Sequence, residues 1–249
     1  MFRKTSLVVL GMFIVGGTLA HAFPIPDSVL IQRLQANRKL YSKWERKPGL
    51  RELAKQSNND VSSNPVILST PAIATEKSLA KKDPKNQPQI QATATFCDVV
   101  VVGTVTRNIS SLTQNEGFIF TDSEVLIESV VGTSKLENGR ADIGPGSEIT
   151  VTSPGGRVVA DGHKLSAFLP GTLPLNVNGR YILFLKYIPE SQSYKRVDIG
   201  GYDISNPTAL PLESRIPNPL SSLMTDRTAL LEAISSSTSK VQLHSREMR

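Results

Sequence analysis

From Thr95 to Ile199 the chain is a succession of β-branched and aromatic runs cut by tight-turn signals, with no helical period between them. That pattern restricts the region to an antiparallel barrel or sandwich. The run Cys97-Asp98-Val99-Val100-Val101-Val102-Gly103-Thr104-Val105 has the texture of a strand buried on both faces or set in a barrel wall. Residues 117–132 predict one long curved strand, or two joined by a bulge near Asp122, with Val125, Ile127 and Ser129 alternating against Glu124, Leu126 and Glu128. Pro145-Gly146 turns into Glu148–Thr152, and Pro154-Gly155-Gly156 turns into Arg157–Ala160. Asp161-Gly162 is the strongest hairpin signal, because a two-residue turn with φ > 0 at both positions favours this pair. His163–Phe168 is the expected return strand; Arg180–Ile188 is expected to be central, and Ser193–Ile199 to follow it. Val100, Val102, Ile149, Val151, Ile182 and Phe184 are expected to bury together in the wall.

The rest of the chain divides by composition. Arg3 and Lys4, the apolar stretch Leu7–Leu19 and Ala20-His21-Ala22 read as a secretory leader over 1–22, with cleavage expected after Ala22. Residues 23–56 form a basic amphipathic segment. Asp27 or Ser28 caps a helix with Leu30, Leu34, Tyr41 and Trp44 on one face and Arg33, Arg38, Lys39, Lys43, Arg46 and Lys47 elsewhere, and Pro48-Gly49 ends it. The Tyr41–Trp44 face is expected to dock on the barrel or a second copy, with weak contact to a membrane surface as the alternative. Residues 57–95, rich in Ser, Asn, Thr, Lys, Gln and Pro, read as a disordered linker. A barrel over 96–205 and a Pro-rich connection with a C-terminal helix over 206–249 complete the layout, that helix carrying Leu223, Leu230, Leu231 and Ile234.

Charge follows these boundaries. Residues 23–95 hold twelve Lys and Arg against six Asp and Glu, whereas residues 96–249 hold fourteen against sixteen. A slightly acidic barrel argues against nucleic acid as a partner, since such a domain needs a basic face of its own. The single cysteine, Cys97, cannot form an internal disulfide and reads as a small buried hydrophobe, an intermolecular bridge being the other reading.

Within 96–201, the succession Phe96–Val105, Phe120-Thr121-Asp122 to Val130-Val131-Gly132, Pro145–Val151 and Arg180–Leu185 resembles the barrel of the tissue inhibitors of metalloproteinases and netrin-like modules. It is also similar to uncharacterised exported bacterial proteins with the same layout, Pro154-Gly155-Gly156 and Tyr187–Glu190 included. The resemblance implies a five-stranded Greek-key barrel of the OB type. The inhibitors' zinc-binding N-terminal cysteine has no counterpart, because Cys97 lies far from a mature start at Phe23.

No catalytic, cofactor-binding or metal-ligating residue follows from the sequence. His163 and His244 are the mature histidines and neither has a spaced ligand partner. Asp122, Glu124 and Glu128 read as a solvated outer face, with calcium binding as the weaker reading. Ser78–Lys81 and Ser237–Lys240 match S-x-x-K in polar surroundings, and Asn108-Ile109-Ser110 is a glycosylation sequon. The expectation is an exported, periplasmic or extracellular, non-enzymatic module that binds a protein or an envelope component. A loop-based protease inhibitor and a hydrolase with an unrecognised carboxylate site are the alternatives.

Overall fold

The computed structural model describes residues 27–45, 47–56, 96–133, 143–169, 172–207, 209–212, 228, 230–232 and 234–236, together with the backbone of 66–69. The leader, most of 57–95 and residues 213–227 of the Pro-rich connection lie outside the described residues. In chain order the elements are α1 (Asp27–Tyr41), running into a 3₁₀ turn at Ser42–Trp44, α2 (Leu50–Gln56), β1 (Val66–Ser69), β2 (Val99–Leu112), β3 (Ile119–Thr133), β4 (Glu148–Pro154), β5 (Gly156–Ala160), β6 (His163–Phe168), β7 (Arg180–Ile188), β8 (Ser193–Asp203) and β9 (Leu210–Pro211). The molecule is mainly β, with its helices at the two ends.

Six strands form one sheet in the order β4-β3-β2-β7-β8-β9, and β4 also pairs with β8, which joins five of them in a ring. The closing pair is parallel, Val151 opposite Tyr194 and Thr152 opposite Lys195, whereas the other pairings in that sheet are antiparallel. The expected hairpin at Asp161-Gly162 is present, with φ of 51° and 80° at the two turn residues. Its strands do not enter the ring. They form a second sheet in the order β1-β6-β5, in which Val66–Ser69 runs parallel to Leu165–Phe168. The linker reading therefore does not hold over those four residues. A short β-branched run completes its backbone hydrogen bonds on the open edge of β6.

The long strands are bent by single extra residues: Thr106 in β2, and Glu128 and Val131 in β3, each skipped in the pairing register. No irregularity occurs at Asp122, which pairs in register with Ile109. A bulge shifts the phase of alternation, so after Glu128 it is Val130, not Ser129, that packs against the ring interior.

Strands β2 and β7 lie between two cores. Val99, Val101, Val105, Val125, Ile127, Ile149, Val151, Leu183, Leu185 and Tyr194 fill the ring. Val100, Val102, Ile182 and Phe184 face outward and are covered by Tyr202, Ile204, Leu230 and Ile234. All six wall positions expected from the sequence are buried, yet they divide into two groups. Ile149 and Val151 belong to the interior and the other four to the outer layer, because a strand buried on both faces has no polar side to mark its orientation. Leu230 and Ile234, one helical turn apart in the C-terminal segment, complete that outer layer.

Candidate functional site

Helix α1 meets the strand ring through a polar stripe. Arg33, Asn37 and Tyr41 fall at i, i+4 and i+8 and are its buried residues, while Leu30 and Leu34 are only half-buried. They lie across β3 and β4, where the register sets Asp122 beside Thr152 and Glu124 beside Thr150. The Arg33 guanidinium donates to Thr150 Oγ1 at 2.5 Å and to Glu124 Oε1 at 3.4 Å, and the Thr150 hydroxyl donates to Glu124 Oε2 at 2.9 Å. One turn on, the Asn37 amide donates to both oxygens of Asp122 at 3.0 and 3.3 Å. Asp122 and Glu124 are thus not a solvated outer face: they are 9 % and 3 % exposed under the helix. Strand alternation alone marks them as outward from the ring, and α1 supplies the cover.

Burial pushes the Asp122 carboxyl above its usual range, even though the Thr152 hydroxyl, the Asn37 amide and the Arg33 charge pull it down. Burial likewise raises the Tyr41 phenol. Arg33 Nε and Asn37 Oδ1 are buried without a hydrogen-bond partner among the described residues. Each such atom forfeits the solvation it had in the unfolded chain, so this seam holds the helix less firmly than an apolar one of equal area.

Beyond the seam the helical segment is clamped to the β2–β3 turn. Tyr41 stacks on Phe120 at 5.3 Å between ring centroids, and Trp44 packs on Phe118 at 5.7 Å. The expected docking of the Tyr41–Trp44 face is present, against β3 and the β2–β3 turn. Glu45 accepts the backbone N–H and the side-chain amide of Asn115 at 2.8 and 2.7 Å; burial raises its carboxyl, and these two bonds together with the Thr113 hydroxyl outweigh it, leaving it below the usual range. Arg51 of α2 pairs with Glu116 at 2.9 Å and approaches Asp161 at 3.7 Å. Beside this clamp, Arg38, Arg51, Ser110–Gln114, Glu116 and Val158–Ala160 line a groove of about 260 Å³.

Other residues singled out in the sequence are not brought together. Glu128 is half-buried and accepts from the Arg180 guanidinium and from Thr104 at 2.8 Å, apart from the α1 seam. His163 opens β6 opposite Ala160, and His244, Ser78–Lys81 and Ser237–Lys240 lie outside the described residues. Cys97 is a buried thiol outside any disulfide, and burial pushes it up to about 12, which suits a core residue and not a nucleophile. The Asn108 amide nitrogen, where a glycan would attach, donates to the Leu175 carbonyl at 2.7 Å. Among the described residues no group of three His, Cys, Asp or Glu could hold a metal ion, and no described helix is long and apolar enough to cross a membrane.

The chain matches no protein-family model. It has no significant similarity to a curated protein. The site therefore stands on its geometry. Sequence reading missed Arg33 and Asn37 because both sit among solvated basic and polar neighbours on α1; their four-residue spacing in line with Tyr41 was the signal available.

Proposed function

We propose that this protein is an exported, non-enzymatic binding module built on an OB-type Greek-key barrel similar to the netrin-like modules. The observation that carries the fold part is the five-strand ring β4-β3-β2-β7-β8, a three-strand meander closed by a parallel contact to the last strand. Support for binding over catalysis comes from the seam. Its two carboxylates are committed to Arg33, Thr150 and Asn37 beneath a helix, an arrangement that presents neither of them to a substrate. The partner in this reading is a protein or an envelope component. The exposed Arg38, Lys39 and Lys43 of the helical segment add weak, salt-sensitive attraction to an anionic membrane surface.

The test has two arms. Mass spectrometry of the protein expressed from its full chain should find a mature terminus at Phe23; an intact Met1 on cell-retained material would overturn export. Affinity capture from an envelope fraction on the immobilised mature protein should retain a partner, and turnover of glycoside, ester or peptide substrates abolished by Asp122→Asn would replace binding with hydrolysis.

A further inference from the structure

The groove beside the clamp is bounded by two open strand edges. Side chains alternate between the faces of a strand, so consecutive residues line one cavity only along the strand's edge. Both walls meet this condition, Ser110-Ser111-Leu112 from β2 and Val158-Val159-Ala160 from β5. Strand β7 pairs with β2 only as far as Thr104, and β5 pairs with β6 alone, so among the described strands both edges are unpaired where they face the groove. The two strands start in contact, Gly156 lying against Ser110 and Thr121, and the groove opens further along them. The Asp161-Gly162 turn joins Ala160 to His163, and bonded pairs alternate along an antiparallel ladder. Val159, one residue on, therefore presents its N–H and C=O to the open side, and its side chain is 72 % exposed.

Two arginines against Glu116 leave the lining of this groove with a net charge of +1. Arg38 and Arg51 both line it; Arg51 is shared with Glu116 and Asp161, and Arg38 forms no ion pair among the described residues. A space of about 260 Å³ is too small for a helix, which is ~10–12 Å across with its side chains, but takes a short extended chain. We propose that this groove binds an extended, carboxylate-bearing peptide segment of a partner protein, which adds as a strand along the β5 edge and sets a carboxylate against Arg38. Main-chain bonds to the edge supply affinity and the guanidinium selects the acidic side chain. This assigns a partner class to the binding reading above and rests on it.

Fluorescence anisotropy with the full mature chain and a short fluorescein-labelled peptide of alternating Val and Glu tests the assignment. The acidic peptide is expected to bind, more weakly at high salt, and a Val/Lys counterpart at least about tenfold more weakly. Arg38→Glu, at an exposed helix position, should lose at least about tenfold, and Val159→Pro, which removes the outward N–H without breaking a bond to β6, should also weaken binding. Thermal melts establish that each variant folds; should Val159→Pro unfold, Arg38→Glu alone decides. No binding of the acidic peptide, equal binding of its basic counterpart, or full affinity in Arg38→Glu would overturn the proposal. Capture of an envelope partner that survives Arg38→Glu would remove this surface while leaving the binding module intact.

Discussion

The side-chain amide of Asn37 donates to both carboxylate oxygens of Asp122, at 3.0 and 3.3 Å, across 85 residues of sequence. It ties the N-terminal helix to the second strand of the ring through a carboxyl that burial holds above its usual range. A raised acid pKa means that the folded protein keeps the Asp122 proton to a higher pH than the unfolded chain does. Stability from this group is fully present below the unfolded carboxylate pKa, about 3.9, and is lost as pH rises through the folded value. Asp122→Asn should thus gain on the wild type as pH is raised from about 3.5 to about 7 in denaturant titrations. A difference between the two that stays flat over this range would show that Asp122 titrates as an exposed carboxylate.

Arg33 and Glu124 form a buried pair, 3.4 Å apart with side chains 9 % and 4 % exposed. Arg33→Met strips Glu124 of its nearest cation and leaves Arg107, at 4.0 Å, as the remaining one. A loss of about 3–5 kcal/mol is expected, most of it restored by adding Glu124→Gln, since the cost is that of an uncompensated buried charge. Urea denaturation of the single and double variants measures both terms. Equal stability of Arg33→Met and wild type would show that the helix does not rest on this pair.

Trp44 is the only tryptophan in the chain, so intrinsic fluorescence reports its surroundings directly. Its contact with Phe118 and stack with Tyr41 predict a blue-shifted emission that moves red in Phe118→Ala. Truncating such a buried aromatic should also cost about 3–5 kcal/mol. Unchanged emission in Phe118→Ala would place Trp44 away from the β2–β3 turn.

Phe184 and Leu183 are neighbours in β7 that serve different cores. Each truncation to Ala should cost about 2–5 kcal/mol, but by different routes. Phe184→Ala removes the surface on which Leu230 and Ile234 rest, so amide exchange at 230–236 should rise before the ring loosens. Leu183→Ala should lower protection across β2, β3 and β7 together. Identical exchange maps for the two variants would collapse the two cores into one.

Cys97 is 2 % exposed and its thiol is pushed up to about 12. Iodoacetamide at about pH 8 should label it only after denaturation, since the thiolate is the reactive form. Rapid labelling of the folded protein would refute its burial, and a dimer on a non-reducing gel would revive the intermolecular bridge.

Most strand positions and turns were legible in the sequence because each is set by local chemistry. The Asp161-Gly162 hairpin follows from which residues tolerate φ > 0, and the strands follow from β-branched runs between turn residues. The docking of Tyr41 and Trp44 was legible because large aromatics on a basic helix have little reason to be there unless buried. What the tertiary structure alone decided is which surface each face meets. The parallel contact of β4 with β8, the departure of β5 and β6 into a second sheet and the use of both faces of β2 and β7 depend on strands far apart in the chain. The Arg33–Asn37–Tyr41 stripe shows the reason most clearly. Arginine and asparagine carry no local mark of burial, and only the carboxylates of β3, brought opposite them by the fold, turn residues that read as solvated into the ones that hold the helix.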